Sequence, residues 1–388
     1  MEKGINMNKK LKCYVVIICL SLIGACVGTQ EIRWTKTFEK EESNGGFSVL
    51  SIEDGFVIAG YMYSGENNRD FWLLKLDREG NEIWSRTYDN KDDIAWDVTK
   101  ADEGYIIIGT SMTNEDSPSA SVMIVKTGWR GEEEWSKTYS INSIYSEGKS
   151  IQSVEDGYVI VGNVKFLAGV TGNYENYVFL MKIDKTGEEQ WSKTYRGEKE
   201  ASVSHIVKSE EDYVLLGSTW VDNPSESDLW LQKVDKDGNI LWSKKYNELT
   251  SNWGKSMLLT EDGFVIAGYT SDGRNSDFWL LKVDREGNKI WSRTYDNEYD
   301  IVSCITDTKN GFIIVGFTTH FPPTQMNVMI IKTDKNGKEK WRKIWGSDEK
   351  DEVAESICKA DSGFMIAGIV VIEKEKADLL LINIEERY

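Results

Sequence analysis

An all-β fold assembled from seven copies of one four-stranded unit is what the sequence predicts, and three series of residues predict it. A tryptophan followed within four residues by an aromatic recurs at Trp34, Trp84, Trp135, Trp191, Trp242, Trp291 and Trp341, with spacings of 50, 51, 56, 51, 49 and 50. DGFVIAG at 54–60 returns as EGYIIIG, DGYVIVG, DYVLLG, DGFVIAG, NGFIIVG and SGFMIAG. DFWLLKLD at 70–77 returns in six further forms, the last being DLLLINIE at 378–385. Self-similarity at a fixed period near fifty residues marks a repeat architecture.

Each unit holds about four short runs rich in β-branched and aromatic residues, separated by turn residues and without the 3.6-residue period of a helix. Between the first and second runs, Asp54-Gly55 favours a tight primed hairpin turn, because glycine accepts positive φ. Between the third and fourth, Asp77-x-x-Gly80 gives a turn whose Asp bonds the following backbone and whose Gly takes the left-handed position. Short connections make the four runs an antiparallel meander. Tandem repetition of such a meander is the signature of a β-propeller, whose blades bury both faces against their neighbours.

The count is seven blades. LDREGNEIWSRTYD at 76–89 matches VDREGNKIWSRTYD at 283–296, the first blade against the fifth, which points to internal duplication and to packing rather than to two active sites. The chain supplies a lone fourth-type strand, Glu31 to Phe38, and ends on a third-type strand, Leu379 to Ile384. The first fills the place beside the second, so both ends complete blade 7, close the ring and remove an exposed sheet edge.

The first thirty residues differ in kind. Lys3, Lys9, Lys10 and Lys12 precede an apolar run from Cys13 to Ile23, which reads as a signal peptide over residues 1–25 and is too short to span a bilayer. Ile23-Gly24-Ala25-Cys26 resembles the lipobox of prokaryotic lipoproteins, in which the cysteine is lipidated after cleavage before it. Cys26 is therefore the expected lipidation site, residues 26–30 a short tether, and residues 31–388 the propeller. The protein is expected outside the cytoplasm, anchored to a membrane and monomeric.

Composition narrows the partners. A formal charge of −18, from 46 Lys and Arg against 64 Asp and Glu, repels nucleic acid. His205 and His320 are the only histidines, too few for a histidine-based zinc or iron site. Cys304 and Cys358 sit in apolar runs and read as buried thiols rather than a disulfide. Asp235 to Asn239 reads as a turn shared with the other units rather than a calcium loop.

The spacing Asp77-x-x-Gly80-x-x-x-Trp84 resembles the tryptophan-docking repeat of quinoprotein-type propellers, and Asp-Gly-Phe-Val-Ile-Ala-Gly resembles the tandem repeats of uncharacterised prokaryotic propeller lipoproteins. The resemblance covers residues 31–388. It implies that the tryptophans dock neighbouring blades. Quinoprotein dehydrogenases bind their quinone on the axis, many beside an adjacent cysteine pair, and their rings have more blades; this chain has no adjacent cysteine pair, so no cofactor is expected. A similar lipoprotein scaffold assists outer-membrane protein assembly, which makes an interaction role the nearer analogy.

A site is expected on the face that carries the long connections, since the other face is built of tight turns. That face offers carboxylates and aromatics, among them Asp92, Asp93, Trp96, Tyr145, Trp220, Trp253, Tyr299, Asp300 and Phe321, suited to stacking on a sugar or to a basic peptide. Aligning the first runs on the turn glycine places Ser48, Asp97, Ser150, His205, Ser256, Cys304 and Ser356 at one position, expected to line the central channel. Asp97 is the only acid among them, and His205 is expected across the channel from it. A protein, peptide or glycan ligand is expected on this face, with Asp97, His205 and Glu355 nearest the axis. The alternative is a glycan-active or quinoprotein-like enzyme with its site on that axis, which would require converging carboxylates or a cofactor-sized axial cavity.

Overall fold

The computed structural model describes residues 31–386 except 66–67, 89–91, 113–118, 142, 169–172, 197–199, 221–225, 296–298, 320–324, 348 and 374–375. The expected signal peptide, the tether with Cys26, and Phe321 lie outside the described residues. The described residues form twenty-eight β-strands and no helix. None is therefore long and apolar enough to cross a membrane.

The strands fall into antiparallel sets of four. In the first set, Asn44–Ile52, Gly55–Tyr63, Arg69–Leu76 and Glu82–Tyr88 pair in chain order. Five further sets repeat this order, beginning at Asp92–Lys100, Tyr145–Val154, Glu200–Ser209, Ser251–Thr260 and Tyr299–Thr308. The last set takes three strands from the end of the chain, Asp351–Ala360, Gly363–Glu373 and Lys376–Glu385. Its fourth strand is Glu31–Phe38, paired antiparallel with Lys376–Glu385 from Phe38 opposite Leu379 to Glu31 opposite Glu385.

Burial explains the continuous apolar runs. Second and third strands are covered on both faces, so Val57, Ile58, Ala59, Phe71, Trp72, Leu73 and Leu74 are all fully buried. Apolar clusters fill the space between consecutive sets; one of them packs Val49, Ile58, Trp72 and Leu74 of the first set against Ala367, Leu379 and Leu381 of the last. Each first strand also touches the first strands of the sets before and after it, and that of the last set touches that of the first.

The recurring tryptophan and its aromatic companion have distinct tasks. The Trp34, Trp84, Trp135, Trp191, Trp242 and Trp291 rings lie over Gly80, Gly131, Gly187, Gly238, Gly287 and Gly337 in the third-to-fourth turn of the next set, where a Cβ would clash with the indole at Gly80, Gly131 and Gly337 and crowd it at the other three. Those glycines also hold φ between +73° and +81°, a region that side chains disfavour. Four residues on, Tyr88, Tyr139, Tyr195, Tyr246 and Tyr295 donate their hydroxyls to the carbonyls of Gly131, Gly187, Gly238, Gly287 and Gly337 at 2.6–2.8 Å. Phe38 and Trp345 stand in the tyrosine's place in the other two fourth strands and carry no hydroxyl.

The Asp-x-x-Gly turn forms as expected: Asn81 N donates to Asp77 Oδ1 at 2.7 Å and Gly80 N to Asp77 O at 3.1 Å. The expected primed turn does not form. Ile52 pairs with Gly55, so the two loop residues are Glu53 and Asp54, and neither has positive φ. Gly55 instead follows the turn at φ +152°, pressed against the Leu76 carbonyl of the next strand, where a Cβ has no room. The fourth set, which has Asp212 at this position, places Glu210 of its turn at φ +60°, the only positive-φ residue other than glycine among the described residues.

One irregularity recurs in every first strand. The pairing of first and second strands skips a residue at Phe47, Trp96, Lys149, Ser204, Lys255, Ser303 and Glu355, a β-bulge in each case. The bulge pushes a first-strand carbonyl onto the closing glycine of the VIAG-type run, at Gly60, Gly109, Gly162, Gly217, Gly268, Gly316 and Gly368, so that a Cβ there would overlap Gly45 O, Ile94 O and their equivalents.

If Trp34 packs on the first set as the other indoles pack on theirs, Trp34→Ala will lower unfolding stability in urea by about 2 kcal/mol. Trp191→Ala should lower it by a similar amount. A change near zero for Trp34→Ala alone would mark residues 31–38 as an appendage.

Candidate functional site

Each bulge delivers two side chains to the centre, the skipped residue and the one after it. The residues after the bulges are Ser48, Asp97, Ser150, His205, Ser256, Cys304 and Ser356, the seven aligned from sequence. They form a hydrogen-bonded girdle in which one set's side chain reaches the next set's backbone. Ile151 N donates to Asp97 Oδ2 at 3.1 Å, Met257 N to His205 Nδ1 at 3.3 Å, and Val49 N to Ser356 Oγ at 3.2 Å.

Asp97 is consumed by this girdle. Ser48 Oγ and Val98 N donate to its Oδ1 at 3.0 and 2.9 Å, and Ser150 Oγ and Ile151 N to its Oδ2. Burial raises its pKa against these four donors. His205 is two sets away from Asp97, with Ser150 between, and not across the channel as the sequence suggested. Burial lowers the His205 pKa to about 4, so the imidazole is neutral at physiological pH. Ser256 Oγ meets Cys304 Sγ at 3.6 Å. Cys304 and Cys358 are free thiols, and burial raises the pKa of each.

The skipped residues form a second ring, a collar on the long-connection side of the girdle. Phe47, Trp96 and Lys149, from consecutive sets, satisfy one another: the two rings are 4.6 Å apart between centroids, and the Lys149 ammonium lies 4.2 Å from the Trp96 ring. Lys149 also pairs with Glu147 at 3.2 Å, whose carboxylate takes further bonds from Tyr145 Oη and Asn163 Nδ2. The other arc is Ser204, Lys255, Ser303 and Glu355. Ser204 Oγ turns back to the carbonyls of Gly254 and Leu216. Lys255 is exposed to solvent, yet atoms of the surrounding strands crowd its ammonium. Burial lowers its pKa, with Glu355 opposing and Lys149 adding to the shift.

The expected site residues divide accordingly. Trp96 and Glu355 are skipped residues of the collar and Asp97 and His205 belong to the girdle, each with its own partners, while Tyr145 reaches the collar through Glu147. Trp253 stacks on Tyr269 at 6.1 Å and 12°, and Trp220 meets Trp253 edge-on at 5.1 Å. Tyr299 is exposed. The acids do not form the open surface the sequence suggested: Asp92 is held by Arg69 in a two-pronged ion pair, and Asp93 and Asp300 are fully buried. They occupy the position of Asn44 and Asn252, whose side chains tie a first strand to the third strand of the preceding set, at Asp378 and Ser227. Phe47, Lys149 and Lys255 were missed. The collar positions share no common residue type that would mark them as a series, although each of them sits immediately before a girdle position.

The concavities on the tight-turn face are shallow clefts among ion-paired turns, such as those lined by Asp307, Lys359 and Asp361. They lack the convergence of side chains found at the collar.

No family model matches the sequence, and no curated protein does. Among solved structures the chain is similar to a protein of unknown function from Dyadobacter fermentans, with a TM-score of 0.54 and 11% identity over 93% of this chain and 100% of that one. It is also similar to Drosophila Semaphorin 2a, with a TM-score of 0.50 and 8% identity over 89% of this chain and 74% of that one. At such identities the likeness speaks for the fold alone, an all-β, propeller-like one.

Burial raises the Glu355 pKa to about 7, with Lys255 opposing. A carboxyl that holds its proton more tightly folded than unfolded contributes stability that is intact at low pH and lost as pH rises from about 4.5 through about 7. Glu355→Gln should therefore stabilise the protein at pH 8 by about 1–2 kcal/mol, less than the pKa displacement alone implies because Lys255 loses its counter-charge. Denaturation at pH 8 and pH 5 checks this, and the gain should shrink at the lower pH.

Proposed function

We propose that the sets close into a seven-bladed β-propeller, tethered to a membrane at Cys26 outside the cytoplasm, and that it acts as a binding module for a protein, peptide or glycan through its long-connection face. Ring closure is supported by the pairing of Glu31–Phe38, which completes the last set, and by contacts between the last set and the first: the girdle bond from Val49 N to Ser356, the Asn44–Asp378 bond and the Arg78–Asp361 ion pair.

The observation that carries the functional part is the chain of aromatics from Trp220 through Trp253 to Tyr269, leading from the rim to the collar. Tryptophan rings left half-buried at a rim suit stacking on sugar faces or on side chains of a peptide. The tether fits this orientation. Glu31 lies opposite Glu385, and Glu386 N bonds Ser362 O in a first-to-second turn. A chain leaving Glu31 toward Cys26 thus departs from the tight-turn face, at most ~15 Å of extended backbone from the lipidated cysteine, and leaves the other face pointing away from the bilayer. More than one acyl chain on Cys26 makes such anchoring stable.

The enzyme reading draws nothing from Asp97, whose two oxygens each already accept two hydrogen bonds. Two experiments test the proposal. In cell fractionation, Cys26→Ser should move the protein from membranes to the soluble fraction, and undiminished membrane retention would remove the anchor. On glycan and peptide arrays the protein should give discrete hits that weaken at least severalfold in Trp220→Ala. An array without hits, or hits indifferent to that change, would count against the face as a binding surface.

A further inference from the structure

The seven collar positions are not equivalent. Phe47, Trp96 and Lys149 are settled by stacking, by the ammonium on the indole and by Glu147. Across the mouth, Lys255 and Glu355 stand two sets apart with Ser303 between them. Each lies within the other's electrostatic reach, yet no ion pair joins them, and neither has a hydrogen-bond partner among the described residues. The collar residues on either side of Lys255, Ser204 and Ser303, have short side chains.

We propose that this arc of the channel mouth is a site for a small zwitterion of the amino-acid class, with its carboxylate at Lys255 and its ammonium at Glu355. The inference rests on the reading of this face as a binding surface and adds the chemistry of a ligand. Two opposite charges crowded by the neighbouring strands and held apart lose part of their hydration, a cost that neither recovers alone. A ligand bearing both signs completes both groups at once. A simple anion leaves Glu355 facing nothing, and a simple cation leaves Lys255 so. The arc has no net charge to draw in either, since Lys149 is already matched by Glu147.

The surroundings fit the rest of such a ligand. The Lys255 ammonium is 5.9 Å from the centre of the Tyr269 ring, which stacks on Trp253. A ligand carboxylate at Lys255 thereby lies beside an aromatic wall, against which an apolar or aromatic side chain can rest. Beneath the arc the girdle offers neutral groups, His205, Ser256 and Cys304.

Titration calorimetry on the purified full chain tests this with L-phenylalanine, glycine, acetate and methylammonium. Both amino acids should bind, phenylalanine more tightly, and acetate and methylammonium should each bind roughly tenfold more weakly or not at all. Lys255→Met and Glu355→Gln should each weaken phenylalanine by about tenfold or more. Ser303→Leu keeps both charges and fills the space between them, and should block binding while circular dichroism shows the native fold. Absence of heat with both amino acids at millimolar concentration, acetate binding as well as phenylalanine, or full affinity in the folded Ser303→Leu protein would each overturn the proposal. If array hits that depend on Trp220 persist while the amino acids fail to bind, this inference falls alone; if both fail, the underlying reading falls with it.

Discussion

The architecture depends on one backbone irregularity repeated in every set, the bulge in each first strand. A regular strand would alternate its side chains strictly between the two neighbouring sets. The extra residue breaks that alternation and turns two consecutive side chains toward the centre, one into the girdle and one into the collar. It also dictates the sequence opposite: because the bulge drives a carbonyl over the second strand, the VIAG-type run must end on glycine. Fold and candidate site thus share a cause, and a substitution at Gly60 or Gly268 would disturb the channel as well as the sheet.

Much of this was legible in the sequence because it is periodic. The tryptophans, the closing glycines and the Asp-x-x-Gly turns recur with their partners, and counting back from the turn glycine found all seven girdle residues. Where reading failed, local letters meant something else in three dimensions. Asp54-Gly55 looked like the centre of a primed turn, but the glycine serves a close approach to Leu76 just beyond it. Asp93 and Asp300 looked like surface acids, but they stand where a first strand is tied to its neighbour. Lys255 was invisible because nothing in a single strand says that its charge will meet that of Glu355, a hundred residues on.

The electrostatics of the centre differ from those of the whole. The chain is strongly acidic, and its turns are laced with exposed ion pairs such as Lys137–Glu188 and Lys359–Asp307, which contribute little individually. At the collar the charges are few and matched in number, Lys149 with Glu147 and Lys255 with Glu355. In the proposed site, selectivity would come from position rather than from a bulk field, whereas the acidic exterior repels other polyanions.

The tyrosine hydroxyls have a further consequence. Five junctions between neighbouring sets carry both an indole over a glycine and a tyrosine fastened to that glycine's carbonyl. The junction from the sixth set to the last has no such turn to receive Trp345, and the one from the last set to the first has Phe38, which can pack but not fasten. These two weaker seams flank the only sheet built from both termini. Mechanical load or thermal fraying would therefore be channelled into that sheet, leaving the other six as a unit that yields later, so the molecule carries its own preferred line of opening.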